Sequence, residues 1–223
     1  MTRFNWRFAV VVALVVLTST AALYASPVYT AYTDPAGQGT QNYGGNLGLL
    51  FNVNAPINVT SLGVFNASGS GTITGTIQVG IFNVSSPSTP LAVATFTPGT
   101  YALGGFGYDV FKSITPLQLG PGSYEVSAFG FSGADPNGNL NTDSSSGPAL
   151  TGNGALTYVG AGWDTNFASL DAPLTCSTCQ GTPGLYSQFD AGTFKYSVPE
   201  PSMLGLLCMG LIGVGGIRRK LAR

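Results

Sequence analysis

The 223-residue chain contains no histidine at all. That removes the Ser-His-Asp and Cys-His catalytic arrangements and most zinc and copper sites, all of which rely on imidazole. Charge is scarce too, at 8% of residues. Basic residues are almost absent from the middle of the chain: between residues 26 and 198 only Lys112 and Lys195 occur. They face eight acidic residues, so this stretch carries a formal charge of −6, which the whole-chain value of −1 conceals. A chain so poor in Lys and Arg cannot neutralise phosphates, which argues against nucleic acid as a partner and against docking on anionic lipid headgroups. No Gly-rich phosphate loop with its lysine occurs, and no window between 26 and 198 keeps a helical apolar period with caps.

What is present is concentrated first at the two ends. Arg3 and Arg7 precede an apolar run from Phe8 to Leu17, and the small residues Thr18-Ser19-Thr20-Ala21-Ala22 follow it. This is the three-part pattern of a secretory signal peptide over residues 1–25, with cleavage after Ala22 or Ala25. At the other end Val198-Pro199-Glu200-Pro201 is followed by an apolar run from Met203 to Ile217, then by Arg218-Arg219-Lys220. As a helix at 1.5 Å per residue that run covers roughly 22 Å, short against a hydrocarbon core of about 30 Å, with the basic residues able to snorkel. Basic flanks stay on the cytoplasmic side, so the charges at both ends place the intervening body outside the inner membrane.

The tail resembles the PEP-CTERM sorting signal of exported bacterial proteins, on Pro199-Glu200-Pro201, the apolar run and the basic anchor. The resemblance implies an exosortase-type membrane protease as partner, a transient inner-membrane intermediate, and cleavage near the motif. It also implies delivery to the cell surface or extracellular matrix of a Gram-negative-type bacterium. A plain membrane anchor behind a proline-bearing linker shares every feature except cleavage.

The body, residues 26–197, reads as all-β. Short runs of β-branched and aromatic residues alternate with Gly, Pro, Asn and Ser turns, the texture of an antiparallel β-sandwich. Strands are expected at 28–33, 47–53, 57–65, 72–82, 91–97, 107–114, 123–131, 155–160, 185–189 and 192–196. In the fourth, Ile77, Val79 and Ile81 share a face. In the seventh, Tyr124, Val126 and Ala128 point one way, with Glu125 and Ser127 opposite. On that pattern Glu125 is a solvated strand residue, and Lys195 faces water. The order of these runs from 47 to 131 resembles jelly-roll-like sandwich domains of bacterial surface proteins. Residues 132–184 are expected to form a long loop insertion.

Chemistry is thin in this body. The carboxylates Asp109, Glu125, Asp164 and Asp171 leave a glycoside hydrolase formally open, but the expectation is a protein that is not an enzyme and needs no cofactor. Asp135, Asn137, Asn139, Asn141 and Asp143 place oxygen atoms at alternate positions, which suits calcium, although Gly138 and Ser146 depart from the EF-hand spacing. Cys176 and Cys179 form a CxxC in an oxidising compartment. A local disulfide is the first reading and a reactive thiol pair the second. Trp163, Tyr158 and Tyr186 could form a stacking platform for extracellular polysaccharide, against the alternative that they pack the core.

Overall fold

The computed structural model describes residues 26–32, 40–104, 108–138, 152–174 and 191–199. The signal-peptide segment and the apolar tail helix lie outside these residues, as does the strand expected at 185–189. The compact body runs from Pro27 to Val198. Among its described residues there are strands but no helix.

Eleven strands run in order: β1 (Val28–Thr30), β2 (Leu47–Val53), β3 (Ile57–Phe65), β4 (Thr72–Ile73), β5 (Ile77–Asn83), β6 (Pro90–Phe96), β7 (Gly99–Thr100), β8 (Asp109–Leu119), β9 (Gly122–Phe129), β10 (Leu156–Trp163) and β11 (Gly192–Ser197). One sheet has the order β1-β11-β3-β8 and the other β10-β2-β9-β5-β6, while β4 and β7 form a small separate pair. Every pairing is antiparallel. Without β4, β7 and the edge strand β10, eight strands interleave two four-stranded sheets, an order consistent with a jelly-roll-like sandwich.

The alternation in the sequence explains which face of each strand is inside. Leu47, Leu49 and Phe51 of β2, Val126 and Ala128 of β9, and Ile77, Val79 and Ile81 of β5 all point into one core. They meet Val59 and Leu62 of β3 and Phe194 and Tyr196 of β11 from the opposite sheet. Phe194 lies 5.0 Å from Phe51 across this interface. Removing such side chains from water, at about 25 cal/mol per Å² of apolar surface, is the main force holding the two sheets together.

Three differences from the sequence pattern have local causes. The run expected at 72–82 is two strands, because the Asp135 carboxylate captures the amides of Thr74 (2.9 Å) and Gly75 (2.5 Å) and takes them out of any ladder. The strand expected to end at Ile114 continues to Leu119 through Pro116. Because β8 is the edge of its sheet, the missing proline amide costs no pairing, and the register shift opposite Val59 and Ser61 absorbs the irregularity. The strand expected at 155–160, inside the 132–184 interval, runs on to Trp163 as β10 and pairs with β2 apart from an irregularity at Val159.

The sides of the sandwich are tied by polar contacts. Lys112 of β8 donates from Nζ to the Thr95 carbonyl of β6 at 2.8 Å. On the other side the Tyr158 hydroxyl of β10 donates to the Ala31 carbonyl. Lys195 does not simply face water: it is half-buried, with Nζ 4.2 Å from the centre of the Phe111 ring.

Candidate functional site

The sorting motif begins where the last strand stops. β11 lies between β1 and β3, ends at Ser197, and passes into Val198, which packs against the core. Val28 of β1 is paired with Ser197. The first strand after the signal-peptide segment and the last before the tail are therefore neighbours, and both ends of the body emerge side by side. Glu200, Pro201, Arg218, Arg219 and Lys220 lie outside the described residues.

The carboxylates come together in part. Glu125, Asp164 and Asp171 share the outer face of the five-stranded sheet, whereas Asp109 sits opposite Phe65 on the other sheet. The solvated reading of Glu125 is wrong: its side chain is fully buried, at 0% exposure. Alternation does put Glu125 and Ser127 on the outer face, but residues 164–174 return over that face as an extended strap and cover both.

Two glycines make room for this cover. Gly48 of β2 and Gly80 of β5 flank Ser127 of β9 in one cross-strand row. A methyl group on Gly48 would land on Glu125 Oε1 and lie 2.6 Å from its carboxyl carbon. A methyl group on Gly80 would lie 3.0 Å from the Leu170 side chain of the strap. Glu125 thus fills the space over one glycine and Leu170 the space over the other.

Asn46, buried at the start of β2, fastens the strap. Its Nδ2 donates to Asp164 Oδ1 (3.2 Å), the Ser169 carbonyl (3.1 Å) and the Asn166 carbonyl (3.4 Å). Its Oδ1 accepts the Asp171 amide at 3.0 Å. Further along, the Ala172 amide donates to the Pro87 carbonyl (3.0 Å) and the Leu174 amide to Glu125 Oε2 (3.0 Å). Glu125 Oε1, Ser127 Oγ and Asp171 Oδ1 are buried without a protein partner. Burial raises the Glu125 carboxyl to about 8, with smaller upward contributions from the Asp164 and Asp171 charges, against the lowering effect of the Leu174 amide. Asp171 is also raised, first by burial and then by Asp164. At neutral pH Glu125 is therefore a neutral acid sealed under the strap.

The aromatic residues group differently from the sequence expectation. Trp163 meets Tyr43 edge-on at 5.7 Å, and Tyr43 lies 5.6 Å from Phe167. Phe167, on the strap, is 61% exposed. Tyr158 is not in this group, because its hydroxyl is committed to Ala31 between the sheets. Tyr186 lies outside the described residues. Tyr43 and Phe167 were not legible as members, since only the strap's path brings them to Trp163.

Of the five oxygen-bearing residues at 135–143, Asp135 is buried and spends its carboxylate on the Thr74 and Gly75 amides. Asn137 is buried in a backbone bridge to Gln41. Asn139, Asn141 and Asp143 lie outside the described residues, and so do Cys176 and Cys179.

Fold and tail together define a class: an all-β body of antiparallel sheets followed in the sequence by a proline-bearing, apolar and basic tail. Residues 197–220 match the family model of the PEP-CTERM protein-sorting motif. That motif marks an exported protein sorted at its C-terminal segment, and in general implies processing by an exosortase-type membrane protein. No curated protein and no solved structure matches the chain.

Proposed function

We propose that the chain is a non-enzymatic cell-surface or extracellular-matrix protein, a jelly-roll-like body delivered by its tail and cut near Pro199-Glu200-Pro201. The observation that carries this reading is the sorting motif starting at Ser197, the last residue of β11. A protease acting at Pro199–Pro201 would release a body whose sheets are already complete. The non-enzymatic part is supported by Glu125, which the strap shields from any substrate. The test is the intact mass of the protein recovered outside the cell. A mass ending near Val198 supports the reading, and a mass that still includes residues 203–223 refutes the cleavage.

The Tyr43–Trp163–Phe167 group favours a second reading, binding of extracellular polysaccharide. Sugars stack their apolar faces on exposed aromatic rings, and an acidic body selects neutral or cation-bridged glycans over anionic ones. Trp163→Ala and Phe167→Ala should each abolish retention on the native matrix polysaccharide. Unchanged retention in both variants removes this reading.

A further inference from the structure

We propose that the 164–174 strap is a proton-dependent latch, closed while the Glu125 carboxyl is neutral and loosened when it ionises. The geometry comes first. Glu125 has no exposure, and one of its oxygens grips the Leu174 amide at the far end of the strap. Leu174 has a φ of 55°, in the left-handed region that a bulky non-glycine residue occupies only under strain. The carboxyl therefore holds the end of the strap against its own backbone preference; this bond itself favours the ionised carboxylate, so loosening on ionisation comes from the uncompensated buried charge and not from the bond.

Among the described residues no positive charge faces Glu125. Of the elements packed against it, β2 contributes Asn46, Gly48 and Leu50, β5 contributes Gly80 and Phe82, and the turn after β5 contributes Pro87, none of them charged. The strap itself contributes Asp164 and Asp171, both negative when ionised. Lys112 is on β8 and Lys195 on β11, in the opposite sheet. A proton removes the charge from a buried carboxyl whose Oε1 has no hydrogen-bond partner. Without the proton, a fully buried carboxylate lies near the partly exposed Asp164 and Asp171. Opening the strap re-solvates Glu125 and relaxes Leu174.

Phe167 rides on the strap, so the aromatic group is complete only in the closed form. That consequence rests on the polysaccharide reading, whereas the latch does not.

The test is hydrogen exchange of the full exported chain, read on peptides spanning 164–174 and corrected for the intrinsic pH dependence of exchange. Linkage of one proton predicts that strap protection falls about tenfold per pH unit, or about 100-fold between about pH 5.5 and pH 7.5, while β5 and β9 stay protected. In Glu125→Gln the slope disappears. A strap equally protected at both pH values, or the same slope in Glu125→Gln, overturns the latch. A second measurement covers the case in which the variant does not fold. Glu125 and Glu200 are the only glutamates, so selective carboxyl-¹³C labelling follows Glu125 directly in the wild-type chain. Titration near the usual glutamate value would overturn the proposal, and titration near 8 together with strap opening would support it.

Discussion

The packing of Glu125 over Gly48 makes a sharp prediction. Alanine at position 48 places its methyl on Oε1 and 2.6 Å from the carboxyl carbon. Glu125 must then swing aside, which strains or breaks its bond to the Leu174 amide at 3.0 Å. Overpacking of this kind costs about 1–3 kcal/mol, and the lost hydrogen bond adds about 1 kcal/mol. Replacing a strand glycine returns about 0.5–1 kcal/mol of chain entropy. Gly48→Ala should therefore destabilise the protein by about 1–3.5 kcal/mol, a shift of roughly 0.5–2 M in the urea midpoint. In a Glu125→Ala background the obstruction is gone, and the same Gly48→Ala change should be neutral or slightly stabilising. The double-mutant cycle isolates a coupling of at least about 1 kcal/mol between the two positions. A neutral Gly48→Ala in the wild-type chain, or an equal loss in both backgrounds, would refute the packing of the carboxyl against this glycine.

Three further outcomes follow from the same structure. Glu125 is raised in the folded state from 4.5 to about 8, so the folded form holds its proton over a range where the unfolded form has released it. The associated stability is fully present below about pH 4.5 and is lost as pH rises through about 8. The ceiling on that loss is about 5 kcal/mol at 1.36 kcal/mol per unit, and less if the strap opens before the body unfolds; urea titrations across that range should show the slope in wild type and not in Glu125→Gln. Asn46→Ala removes both sides of the strap anchor, and should cost about 2–3 kcal/mol in chemical denaturation while raising exchange at the Asp171 amide. Phe194→Ala, which empties the contact with Phe51 in the middle of the core, should cost about 3–5 kcal/mol by thermal or urea unfolding.

Much of this architecture is written locally. Period-two alternation marks the inner face of β5 and β9 residue by residue, and the glycine, proline and serine clusters mark the turns between strands. The tail is legible for the same reason: proline, apolar run and basic end are contiguous, so no folding is needed to bring them together. What failed needed distant partners. The break between β4 and β5 is imposed by Asp135, about sixty residues further on, and nothing within 72–82 announces it. The persistence of β8 through Pro116 depends on its place at the edge of a sheet, which is a property of topology rather than of the strand.

Glu125 shows where such reading stops. Alternation states correctly that Glu125 opposes Val126, and a carboxylate on the polar face is normally left to water. Whether that face meets water is decided by residues 164–174, which carry no strand pattern and no helical pattern. The available clues were indirect. Gly48 and Gly80 stand at outward positions of their strands, where a solvated sheet has no use for a missing side chain and a weakened backbone. Glycine at such positions signals that something comes close from outside. Here two things do, a carboxyl and a leucine, and the asparagine that begins β2 fastens the segment bringing the second. A buried acid on a nominally polar face, opposite outward glycines and with no basic residue in reach among the described residues, is best explained by a cover whose closure depends on that acid remaining neutral.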